Sequence, residues 1–247
     1  MTPLLNTTRS IIRITGDDRV SFLQGILTND IAKLNGDKIQ FAALLSPQGK
    51  ILNDMFVVAW DNAILLDTGA AFADALIKRL ALYKLRAKVT IEDASAELAV
   101  TQDATGLPDP RHPELPHRLY APTSGYATPL SDHPTLALGI PELGRDFAPE
   151  QVVAMDAGYD LLHAISFTKG CYVGQEVTAR MHYKNIARRG FYLLEHDTMP
   201  PRLALLRFED VEVENGMATV DNITYRATLP AWMLPKLTRF KSGPQNQ

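Results

Sequence analysis

One short run of the chain concentrates residues able to do chemistry: Lys169-Gly170-Cys171-Tyr172-Val173-Gly174-Gln175-Glu176. Cys171 stands between two glycines, which permit tight turns and close approach of backbone to a ligand. Lys169 lies two residues before it, and a nearby ammonium favours the thiolate, the nucleophilic and metal-binding form. A lone cysteine can equally be a small buried packing residue, so chemistry alone leaves both readings open. Downstream, Thr178, Arg180, His182 and Lys184 alternate with Val177, Ala179, Met181 and Tyr183, the period-two pattern of a strand. One face of that strand is a cationic stripe, extended by Arg188 and Arg189, with no acidic residue between Glu176 and Glu195. Such a stripe suits carboxylates or a phosphate backbone, or is a solvated strand face. Asp54 and Asp156 sit among apolar neighbours, where a carboxylate must find a partner or shift its pKa if buried. Both have a plainer alternative on an exposed face.

These groups have to be positioned by a frame, and the first ninety residues supply one. Arg9 to Ile14 reads as a strand, followed by a helix with Phe22, Leu23, Ile26 and Leu27 on one face. Ile39 to Leu45 and Ile51 to Trp60 read as strands joined by the turn Ser46-Pro47-Gln48-Gly49. Asp61-Asn62 then turns into a strand from Ala63 to Asp67. Phe72, Leu76, Leu80 and Tyr83 mark an amphipathic helix, and Lys88 to Asp93 returns as a strand. This order suggests a ferredoxin-like αβ layer. About 104–134, seven prolines and three histidines read as a linker. A helical stretch is expected around Pro149 to Phe167. From Arg188 onward, short strands suggest a small terminal β domain, so the expected division is 1–187 and 188–247.

Bulk properties narrow the function. With 247 residues the chain can bury a sizeable core without staples. The single cysteine fits a reducing compartment, and the N-terminus lacks the pattern of a signal peptide, so a cytoplasmic protein is expected. No apolar run approaches a membrane span. A net charge of −3 argues against a protein whose main business is coating nucleic acid. There is no Walker A loop, no Gly-x-Gly-x-x-Gly after a strand, no His-Glu-x-x-His and no Cys-x-x-Cys pair.

Lys169 to Glu176 resembles the K-G-C-(F/Y)-x-G-Q-E signature of the YgfZ family of folate-binding iron–sulfur protein maturation factors. Phe22-Leu23-Gln24-Gly25 with Thr28-Asn29-Asp30, Ser46-Pro47-Gln48-Gly49-Lys50 and Gly139-Ile140-Pro141-Glu142 resemble other stretches of that family, so the likeness covers roughly residues 10 to 190. It implies an α+β fold like that of the glycine-cleavage T-protein, with ferredoxin-like subdomains around a central cavity and a reduced C-terminal β domain. It also implies tetrahydrofolate or a derivative as cofactor. On this resemblance Asp54, Asp156, Tyr172, Gln175, Glu176 and Arg180 are expected to bind the folate, Arg180 meeting its glutamate tail. Cys171, beside Lys169, is expected to do redox, thiol or transient ligand chemistry. Iron–sulfur client or assembly proteins are the expected partners. Three positions depart from the T-protein pattern: Asn53 replaces one of two acids, Asp156 is shorter than the usual glutamate, and Gln175 replaces a basic residue. Folate-dependent aminomethyl-type transfer and an RNA-associated role are the alternative readings.

Overall fold

The computed structural model describes residues 8–123, 133–211 and 216–241. Its frame is a five-stranded antiparallel sheet in the order β2-β3-β4-β1-β5. The strands are β1 (Arg9–Thr15), β2 (Ile39–Leu45), β3 (Ile51–Trp60), β4 (Ala63–Gly69) and β5 (Thr90–Asp93). Helices α1 (Arg19–Gln24) and α2 (Ala70–Lys84) connect them, so β1, α1, β3, β4, α2 and β5 form the expected ferredoxin-like unit with β2 added at its edge.

Alternation along the strands explains why both faces are covered. On β1, Ile12 and Ile14 pack with Leu23, Leu76 and Leu80 under the helices, whereas Ile11 faces the other way. On β3, Leu52, Met55 and Val57 join the helical side, and Phe56 and Val58 join the opposite side. That opposite side is roofed by residues from Ala94 to Tyr120 and from Ile140 to Tyr172.

Three expectations are corrected here. The expected linker at 104–134 is core structure in its described part, residues 104–123 and 133–134. Strands β6 (Leu98–Leu107) and β7 (Arg118–Pro122) pair across it, and Asp109, Arg111, Arg118 and Tyr120 are buried. Helix α3 (His133–Ala137) follows. Residues 149–167 form successive turns rather than a helix, because Gly158 takes φ 75° and His163, an exposed residue, takes φ 58°. Residues 177–184 lie in helix α4 (Gln175–Lys184), not in a strand. On a helix Thr178 is buried, His182 stacks on Phe167 at 3.8 Å, and Glu176, Arg180, Tyr183 and Lys184 are exposed. The cations therefore surround the outer side of a helix and form no strand face.

The C-terminal part is a second sheet in the order β10-β11-β8-β9, made of β8 (Arg189–His196), β9 (Met199–Arg207), β10 (Met217–Val220) and β11 (Ile223–Thr228). It has its own core around Tyr192, Leu194, Phe208 and Tyr225, capped by α5 (Leu234–Lys241) through Leu237 and Phe240. Trp232 Nε1 donates to Leu138 O at 2.9 Å, and buried Lys236 donates to Met155 O and pairs with Asp160 at 2.7 Å, which joins this part to the turns. Among the described residues, no helix is long and apolar enough to cross a membrane.

Candidate functional site

The signature loop is held by three separate anchors. Thr28 comes first: its hydroxyl donates to Ala164 O at 2.6 Å and accepts from Ala43 N at 2.8 Å, while its carbonyl accepts from Ser166 N. Asn29 Nδ2 donates to His163 O and Phe41 O, both at 2.8 Å. The Thr28-Asn29-Asp30 motif thus clamps the segment that leads into the loop.

The second anchor is Lys169. Its ammonium turns inward and donates to Leu27 O at 2.6 Å and Asn29 O at 2.8 Å, above the Tyr172 ring. Burial lowers its pKa to about 8, with Asp30 opposing the shift. Lys169 is committed to the backbone carbonyls of Leu27 and Asn29, a placement that makes it a holder of the loop. Tyr172 is also buried, and burial pushes its phenol up to about 12.

The third anchor is Gly174, in the left-handed conformation at φ 83°. A Cβ there would lie 2.5 Å from Ser46 O and 2.9 Å from Leu45 Cβ, so only glycine lets α4 start against the Ser46–Gly49 turn. Thr178 Oγ1 donates back to Gly174 O at 2.9 Å, and Asn185 ends the helix at φ 49°. Between these anchors Cys171 is exposed. Gln175 opens α4, and Glu176 and Arg180 reach solvent from it.

Asp54 lies elsewhere, on the roofed face of the sheet. It is buried rather than on an exposed strand face, and Tyr159 Oη donates to its Oδ2 at 2.5 Å. Burial raises its pKa, more than Tyr159, Arg9 and Arg111 lower it. Beside it is a cleft of about 430 Å³, open mouth included, whose wall carries Arg9, Phe56, Asp109, Arg111, Arg118 and Glu142. Here the sequence reading missed a charged cluster. Asp67, fully buried, accepts from Arg9 Nε and Arg118 Nη2, both at 2.7 Å, and from Tyr120 Oη at 2.8 Å. Arg111 pairs with Asp109 at 2.9 Å and with Glu142 at 2.7 Å. The guanidinium carbons of Arg9, Arg111 and Arg118 lie 5.6, 4.7 and 3.8 Å from the Phe56 ring centroid. Three cations thus meet three anions, and although burial alone would raise Asp67, Arg9 and Arg118 hold it below the usual carboxylate range. Glu142, in the Gly139–Glu142 stretch, was the one member with a sequence signal.

Asp156 is half-buried in the turns, its pKa raised by burial against the pull of Lys236 and Arg189. Among the described residues no hydrogen bond or ion pair joins Asp54, Asp156 and Cys171. At its rim the cleft offers a polar edge of the kind that the head of a reduced folate would need. The partly exposed Glu142 carboxylate and Arg9 guanidinium are the groups within reach of a ligand, whereas Asp109, Arg111, Arg118 and Phe56 are buried against one another. The cleft residues do not supply the tail's counter-charge, because each arginine is already paired.

Comparison with known proteins agrees with this frame. Residues 7–102 match the family model of the GCVT N-terminal domain. The aminomethyltransferase T of the glycine cleavage system from Bartonella henselae superposes with a TM-score of 0.63, over 90% of this chain and 82% of that one, at 14% identity. The chain has the fold of the glycine-cleavage T-protein.

Among sequence relatives, it is 30% identical over 228 residues to the mitochondrial iron–sulfur cluster assembly factor IBA57 homolog of Pyricularia oryzae, covering 79% of this chain and 58% of that protein. It is 29% identical over 226 residues to the mitochondrial iron–sulfur cluster assembly factor IBA57 of Homo sapiens, covering 74% and 63%. It is thus a protein of T-protein fold with IBA57 relatives, and it spans between about a half and two thirds of their length. These relatives are mitochondrial by name, which overturns the cytoplasmic placement expected from the sequence.

Proposed function

We propose that the chain serves iron–sulfur protein maturation through the thiol of Cys171, as a YgfZ-type factor, with a reduced folate head held in the cleft beside Asp54. The observation that carries this reading is the exposed Cys171 on a loop pinned by Lys169, Gly174 and the Thr28-Asn29 clamp. An exposed thiol fixed in this way can supply one sulfur ligand to a cluster in transit, the other ligands coming from client or assembly proteins. The names of the relatives support iron–sulfur assembly as the setting. The folate supplies one-carbon and redox chemistry when bound. Toward it, the partly exposed Glu142 accepts from the pterin edge, and Arg180, exposed on α4, is assigned to the glutamate carboxylates.

Aminomethyl transfer is the second reading, and one observation disfavours it. Asn53, in place of an acid, is used within the fold: Thr68 Oγ1 donates to its Oδ1 at 2.7 Å, and its Nδ2 donates to Phe72 O at 3.3 Å. The RNA-associated reading loses the flat cationic stripe on which it rested, since Arg180, His182 and Lys184 are on α4.

Two experiments test the proposal. Expression of this chain in a strain lacking its own factor should restore iron–sulfur enzyme activity, and folded protein that restores none would refute the setting. Calorimetric titration with 5-formyltetrahydrofolate should give saturable heat that Glu142→Gln diminishes. Absence of heat from the parent would remove the folate half alone.

A further inference from the structure

Helix α2 packs Ala73, Leu76 and Leu80 under the sheet, and its outer side carries apolar residues beside Asp74 and Lys78. Ala71, Ala75, Ala81 and Leu82 are all exposed, and Leu85 follows at the C-cap. At 100° per residue, positions 71, 75, 78, 82 and 85 fall along one ridge. Leu82 is 78% exposed and Leu85 88%. Leu85 also takes φ 43°, a conformation that glycine adopts at less cost. These two leucines leave apolar surface uncovered beside the exposed Asp74 and Lys78, and among the described residues the helix has a partner on one side only.

The same segment is strongly basic. Lys78, Arg79, Lys84, Arg86 and Lys88 fall between Asp74 and Glu92 with no acidic residue among them, on a chain whose net charge is −3. Arg79 faces Glu150 at 3.9 Å, and Lys78, Arg86 and Lys88 are exposed. We infer that the outer ridge of α2 is a docking surface for an acidic amphipathic helix of a partner protein. In such a complex the partner's apolar residues pack on Ala75, Leu82 and Leu85, and its carboxylates meet Lys78, Arg86 and Lys88.

Charge complementarity selects this occupant. A second copy of the chain, paired antiparallel along the ridge, would set Lys78 against Lys78 at its centre. A membrane surface calls for an apolar face that can sink into the lipid, and α2 has spent its larger face on the sheet, leaving two leucines outside. None of these residues belongs to the Cys171 loop or the cleft, so the inference stands apart from the proposed function.

The test uses the full chain and a fluorescein-labelled synthetic helical peptide of fifteen residues, the length of α2, with leucines three and four apart flanked by glutamates. Anisotropy should report saturable binding. Leu82→Ser/Leu85→Ser in the protein, or glutamine for glutamate in the peptide, should each weaken it by about tenfold or more. Thermal midpoints of parent and variant should agree, since both leucines are exposed. No binding by the parent, or equal binding by variant and parent, overturns the inference. So does a sedimenting dimer abolished by the double variant, which would give the ridge to a second copy. Co-sedimentation with phosphatidylserine vesicles that is lost in the double variant would give it to a membrane and also overturn it.

Discussion

Asp67→Asn should be among the most damaging single-atom changes in the protein. Asp67 is fully buried and accepts two arginine bonds at 2.7 Å and one tyrosine bond at 2.8 Å. Asparagine keeps the shape, yet it removes the charge that neutralises Arg9 and Arg118 and turns an amide donor toward donors. Among carboxylates Arg118 then retains only Asp109, at 3.7 Å. Breaking a buried ion pair from one side costs about 3–5 kcal/mol. For a chain of this size, each kcal/mol lowers the thermal midpoint by about 2–4 °C, so the expected fall is roughly 6–20 °C. Urea unfolding with an unchanged m-value would show that stability, rather than the unfolded state, has moved. Arg13→Ala is the control, because the Glu97 carboxylate it meets is largely exposed, and its loss should stay within about 1 kcal/mol. The arginines hold the folded pKa of Asp67 below the ordinary 3.8, so its contribution is present above that value and fades only as pH falls through the lower one. An Asp67→Asn loss below about 1 kcal/mol would refute the account of the cluster as a charge network that stabilises the fold.

Asp54→Asn should act in the opposite sense on the acid side. The folded pKa of Asp54 is raised by burial, so its contribution is present below the ordinary 3.8 and is lost as pH climbs through the raised value. The variant should flatten that fall in urea midpoints measured from pH 4 upward, and an unchanged slope would contradict burial as its cause. Gly174→Ala should cost about 1–3 kcal/mol from its positive φ alone. It should also shift the iodoacetamide labelling rate of Cys171, because the added carbon would press on Ser46 O and Leu45; parental stability and labelling together would show that the anchor is dispensable.

What the sequence disclosed follows from the range of the interactions that decide each element. Alternation on β1 to β4 and the spacing of Phe72, Leu76 and Leu80 are local signals, and the ferredoxin-like unit follows them. Residues 177–184 carried a false period of two, since Val177, Thr178 and the alternating cations imitate a strand. The helix is set by the left-handed Gly174 against the Ser46 turn, a contact across more than a hundred residues. The proline-rich stretch concealed Arg111 and Arg118 for the same reason. Arg118 is buried by an acid 51 positions away, and no neighbouring residue signals it. Residues 149–167 show apolar spacing suited to a helix, but a Cβ at Gly158 would lie 2.6 Å from Trp232, and its φ of 75° breaks the run into turns. The Cys171 loop was legible by type, while the inward turn of Lys169 depends on the carbonyls of Leu27 and Asn29.

The central claim is that the Cys171 thiol is the working group of an iron–sulfur maturation factor, and Cys171→Ser tests it most directly. The change scarcely alters volume and replaces an ionisable, soft sulfur ligand by a hydroxyl that is neither. Because Cys171 is exposed, the variant should fold with the parental thermal midpoint and bind 5-formyltetrahydrofolate as the parent does. Iron–sulfur enzyme activity in a strain lacking its own factor should then be restored by the parent and not by Cys171→Ser. Equal restoration by the two proteins at equal folded abundance would contradict the account.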